Sequence, residues 1–185
     1  MALASTRLVS VLRQTAVRLT DASVTYRWSS FAHCNCGHVA QSITQLSPEE
    51  IQARGMRRDG DWGAQAHELP FPRPDYGSRP ALDEGAWEPE NVGVCRATGE
   101  HLDSILDAML QLGLDPQDIA HLERLSDPEI RRHLGTNTEH FAHHVRENVI
   151  AYLVAWADLL EARLVEAETR APDSGAAHAL PVAAE

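Results

Sequence analysis

Hydrophobic and polar positions recur at helical spacing through most of the chain. Leu8, Val11, Leu12, Thr15, Ala16 and Leu19 share one face of a first helix. Val39, Ala40, Ile43, Thr44 and Leu46 suit a short buried helix that starts near Cys36 or Gly37. Ser47-Pro48-Glu49-Glu50 then reads as cap, first-turn proline and capping box, opening a helix that ends at Gly55. Leu102, Ile105, Leu106, Met109 and Leu110 form the face of a helix capped by Thr98 and stopped by Gly113. Asp115-Pro116 and Asp127-Pro128 open two further short helices, the second stopped by Gly135. Phe141, Val145, Val149, Tyr152, Trp156 and Leu159 stripe the longest helix, expected from Thr138 to about Glu168.

Between these elements, Val24-Thr25-Tyr26-Arg27-Trp28 is β-prone and aromatic, and reads as an extended segment leading into a turn. Residues 59–94 are rich in Gly, Pro and acids, with Pro70, Pro72, Pro74, Pro80 and Pro89 forbidding a continuous helix. They read as a surface excursion pinned by Trp62, Phe71, Tyr76 and Trp87. Residues from Pro172 onward have little to bury and read as a disordered tail. The expected architecture is all-α, an irregular or orthogonal bundle of five to seven helices. It forms one domain over residues 1–168, followed by the tail at 169–185.

Composition narrows the functions. With 185 residues and 43% hydrophobic content the chain supports one core. Its net charge is -11, so no basic face is offered to nucleic acid or to an anionic membrane; that all 16 basic residues are arginine carries no functional conclusion. No apolar run is long enough to span a bilayer. Arg7, Arg13 and Arg18 precede the first acid, Asp21. That composition suits a transit peptide or an amphipathic first helix, and the absence of a signal pattern favours the helix. A protein partner is left open.

Chemistry concentrates in His33-Cys34-Asn35-Cys36-Gly37-His38, four candidate ligands within six residues. Thiolate and imidazole favour zinc or another thiophilic ion, and Cys95 sits in a second loop before a helix. The leading expectation is a small metal-binding protein in which Cys34, Cys36, Cys95 and His38 hold zinc. The spacing is C-x-C, however, where structural zinc knuckles usually carry C-x-x-C. The first alternative is a cysteine-dependent hydrolase or transferase. Cys36 at a helix start would be the nucleophile, with His144 or His140 from the long helix as its base. The second alternative is an interaction module without catalysis, with both cysteines simply buried. The odd number of cysteines fits a reducing, cytoplasmic setting. Asp59-Gly60-Asp61 reads as a turn, and the run of Glu123, Arg124, Asp127, Glu129, Arg131 and Arg132 as a solvated, salt-bridged face.

Tyr26-Arg27-Trp28, the CNCG-x-x-A-Q segment at Cys34 to Gln41, and His121 to Asp127 together resemble a small family of bacterial proteins without an assigned activity. The resemblance covers about half of the chain, implies an intracellular bacterial protein and transfers no catalytic residue. A cysteine opening a buried helix also resembles the papain-like hydrolases. The chain departs from their pattern, having Arg27 and Trp28 in the neighbourhood where a glutamine oxyanion donor would be expected ahead of the cysteine, and no β-rich second half.

Overall fold

The computed structural model describes residues 1–57, 59–68, 104–136 and 141–170. They form eight helices and, among the described residues, no strand. The helices are α1 (Thr6–Leu19), α2 (Asn35–Thr44), α3 (Pro48–Gly55), α4 (Trp62–Glu68), α5 (Ser104–Gln111), α6 (Pro116–Arg124), α7 (Pro128–His133) and α8 (Arg146–Arg170). The all-α expectation holds, with one helix more than the five to seven anticipated. No described helix is long and apolar enough to cross a membrane.

The frame is the pair α1 and α8. Helix α1 buries Leu8, Val9, Val11, Leu12, Thr15, Ala16 and Leu19, the face its periodicity marks. It runs antiparallel to α8. Arg13 pairs with Asp158 and Glu161 on α8, and Arg146 at the start of α8 donates to the Asp21 carbonyl just beyond α1. These pairs are largely exposed, so the alignment rests mainly on the buried Tyr152, Leu153, Trp156 and Leu160 beneath them.

The short helices start where their caps dictate. Ser47 and Glu50 complete a reciprocal capping box on α3, and Asp115 and Asp118 complete one on α6. Asp127 accepts from the Glu129 and Ile130 amides to open α7. Gly113, at φ +108, takes the left-handed backbone that ends the α5 segment.

Four local expectations change. The first part of the supposed excursion is helical, because Asp61 accepts from the Ala64 amide at 2.9 Å and the prolines begin only after α4. Trp62 does pin this segment: it is 1% exposed and its indole donates to the Phe31 carbonyl at 3.2 Å. Phe71, Tyr76, Trp87, Cys95, Thr98, Thr138, His140 and residues 171–185 of the expected tail lie outside the described residues, while the first two residues of that tail, Thr169 and Arg170, belong to α8.

The long helix begins at Arg146, not at Thr138. The His143 carbonyl is taken by the Asn35 amide and the Tyr26 hydroxyl, and the Ala142 carbonyl by the Val145 amide and the Asn148 side chain. Those acceptors are therefore committed outside a regular helical ladder. Helix α2 begins one residue earlier than expected, at Asn35, with Cys34 as its cap. Finally, Glu123 and Asp127 are not solvated; each is only 6% exposed.

Gly37 fixes how closely α2 meets the loop before it. A Cβ there would lie 2.0 Å from the Phe31 carbonyl oxygen and 2.5 Å from the Ala32 carbonyl. Because the obstacle is backbone, it cannot swing aside. Gly37→Ala is expected to cost about 3–5 kcal/mol in chemical denaturation, at the upper end of single-substitution effects.

Candidate functional site

The segment that the sequence marks for chemistry is built into the core at the head of α2. Cys34 caps the helix: its Sγ accepts from the Gly37 amide at 3.4 Å and lies 3.5 Å from the Phe31 carbonyl, to which its S–H donates. Asn35, 0% exposed, crosses between three segments. Its Nδ2 donates toward the carbonyls of Leu122 (3.2 Å) and Glu123 (2.9 Å) at the end of α6, and of His143 (3.2 Å) ahead of α8. Its Oδ1 accepts from the Tyr26 hydroxyl at 2.7 Å. Cys36 is fully buried and its S–H donates to the Ile119 carbonyl on α6 at 3.6 Å.

His38 is equally committed. The Arg18 guanidinium can only donate, so Nδ1 accepts from it at 3.4 Å, and Nε2–H therefore donates to the Thr25 carbonyl at 3.2 Å. Arg18 also donates to the His38 carbonyl at 2.6 Å and to Gln41. Burial, followed by the Arg18 charge, holds the His38 imidazole down to about 4.

The thiols are shifted the other way. Burial pushes Cys34 up to about 11 and raises Cys36 well above the ordinary thiol range. For Cys36 the neighbouring Cys34 thiol and the carboxylates of Glu123 and Asp61 act in the same direction. Desolvation thus outweighs the stabilisation that a helix start gives a thiolate. The nucleophile expected at Cys36 has neither exposure nor an activated thiolate, and His144 lies in the turn before α8, packed edge-on to His143, not on a helix face. Of the four expected metal ligands, Cys34 and Cys36 stand together at the start of α2. Both ring nitrogens of His38 are engaged, and Cys95 is not among the described residues. Among those described, no group of three His, Cys, Asp or Glu side chains is placed to hold a metal ion.

Beside this polar knot lies a cleft of about 230 Å³, lined by Trp28, Ser29, Ser30, Phe31, Cys34, Gly60, Asp61, Trp62 and Glu123. Its walls are braced. Ser30 donates to the Gln52 side chain at 2.8 Å, Phe31 packs edge-on against Trp62, and the Trp28 indole donates to the Glu123 carbonyl at 3.4 Å while stacking at a tilt on His143. The Glu123 carboxylate accepts from the Gly63 amide at 3.2 Å, and burial raises its pKa. Asp61 pairs with the exposed Arg124 at 3.0 Å.

The sequence reading missed Glu123 and Trp28 as site residues. Ile119, Leu122 and Glu123 are spaced to share one face of α6, which was the available sign that Glu123 points inward.

Comparison with known proteins finds no matching family model, no matching curated protein and no matching solved structure. What the fold and site define is a class, a helical protein with a buried polar knot at one helix start and an aromatic, acidic cleft beside it.

His38 gives the knot a pH signature. Its folded value lies below the unfolded one, so its neutral form supports the fold fully above about pH 6.5, and that support is lost as pH falls toward 4. The loss is on the order of 3 kcal/mol. His38→Gln keeps a donor for Thr25. Denaturation of both proteins between pH 7 and pH 4 should show the variant losing less stability than the parent.

Proposed function

We propose that the chain is an interaction module that seats a ligand in the cleft between the Trp28–Cys34 turn and helices α4 and α6, and that it is not a cysteine-dependent enzyme. The observation that carries this reading is the contrast between the braced cleft and the thiols beneath it. Cys34 reaches the cleft only 3% exposed, and Cys36 is 0% exposed. A nucleophile needs the opposite arrangement, an accessible thiol with a lowered pKa. A concave, largely apolar surface with a few fixed polar groups is the usual form of a binding site.

Zinc or copper(I) binding is the second reading. It is favoured by two free thiols within one turn at the start of α2. It would need Cys95 as a further ligand, and His38 would join only by giving up Thr25 or Arg18.

Native thiol labelling with elemental analysis separates the readings. For a binding module, Cys34 and Cys36 react only on unfolding and the purified chain carries no stoichiometric metal. A metal ion per chain that is lost in Cys34→Ser or Cys36→Ser would establish the metal reading. One thiol reacting much faster than a free cysteine would reinstate the nucleophile.

A further inference from the structure

This inference rests on the binding-module reading and names what the cleft takes. We propose that it receives a single arginine side chain, presented by a basic segment of a partner protein, with the guanidinium set against Glu123 and Asp61 and beside the Trp28 indole.

Size argues for one side chain. At about 230 Å³ the cleft is smaller than the roughly 300–1,000 Å³ of pockets that enclose a whole small ligand. A larger partner that inserts one group fits such a space. The chemistry argues for a cation. Two acidic residues, Glu123 and Asp61, line the cleft together with Trp28, Phe31 and Trp62, and aromatic faces attract guanidinium through their quadrupoles. A planar fork also matches carboxylate geometry, which an ammonium does not.

The chain already shows this chemistry at the rim, where Arg124 holds Asp61 at 3.0 Å. Both partners of that pair are substantially exposed, 60% and 42%, so it exchanges readily with a competing guanidinium. Glu123 is different. It is 6% exposed and takes a backbone amide from Gly63, and its neighbours include a like charge in Asp61. A partner's guanidinium would supply a buried counter-charge there. The receptor is also set in advance, since Trp28 is fixed by its hydrogen bond to the Glu123 carbonyl and by His143. The net charge of -11 would steer a basic partner toward the chain from a distance.

Binding should depend on pH through Glu123. The groups facing it are Asp61 ahead of α4, Arg124 beside it on α6, and the thiols of Cys34 and Cys36 on α2. Its carboxyl is raised by burial, and a cation binds the ionised form, so affinity should rise as pH rises through that value.

The test titrates the full chain with acetyl-Gly-Gly-Arg-Gly-Gly-amide, its citrulline counterpart, and versions carrying Glu or Phe, following the Trp28 indole N–H by NMR. The arginine peptide should shift that resonance and the citrulline and Glu peptides should not. Glu123→Gln, which can still accept from Gly63, should weaken binding about tenfold and flatten its pH dependence. Arg124→Ala, which frees Asp61, should strengthen binding about threefold, a gain that a folding defect would not produce. If the Phe or Glu peptide binds and the arginine peptide does not, the cation inference is overturned and the cleft remains a binding site. If no peptide moves Trp28, the cleft reading falls and this inference with it.

Discussion

The fold depends on how the start of α2 is held. Asn35, in the first turn of a short helix, ties the end of α6 to the segment ahead of α8 through backbone carbonyls, while Gly37 lets the helix sit against the Phe31 and Ala32 backbone with no side chain between. The contacts to α6 are buried, where an unmade hydrogen bond costs more than a made one contributes. Removing the Asn35 amide would take a donor from the carbonyls of Leu122, Glu123 and His143 at once and leave the Tyr26 hydroxyl without its Asn35 acceptor. The Tyr26 hydroxyl closes the arrangement by meeting both Asn35 and the His143 carbonyl.

That constraint accounts for the residues around it. Cys34 caps the helix whose second residue, Cys36, reaches the α6 backbone, and His38 one turn on receives Arg18 from α1 and reaches the Thr25 carbonyl. Helices α1 and α6 and two loops thus converge on five consecutive residues. The same convergence shapes the cleft, since the turn that carries Trp28 and Phe31 is held on one side by α2 and on the other by Trp62 of α4 and Gln52 of α3. Two parts of Glu123 serve different neighbours, its carbonyl accepting from Asn35 and Trp28 and its carboxylate from the Gly63 amide beside the cleft.

Much of the fold was legible because helix faces and caps are local. The α1 stripe, the capping box at Ser47 and the Asp-Pro starts of α6 and α7 each depend on residues within a few positions. The start of α8 was not legible, because it is set by Asn35 and Tyr26, more than a hundred residues earlier in the chain. The density of reactive groups in the His-Cys-Asn-Cys-Gly-His segment suggested a metal or a nucleophile, whereas the burial of those groups is set by residues far away in the chain. The burial of both cysteines depends on α6 and on the Phe31 turn packing against the start of α2, which no local pattern reveals. Asn35, which is not among the four candidate ligands of that segment, makes the most far-reaching contacts.

The central claim, that this segment is a structural anchor, is tested most directly by a double-mutant cycle on Tyr26→Phe and Asn35→Ala, read by chemical denaturation. The account predicts that Asn35→Ala alone costs about 2–4 kcal/mol and that the two changes couple by about 1 kcal/mol or more, since they share one buried network. Additive effects, or an Asn35→Ala protein as stable as its parent, would contradict it.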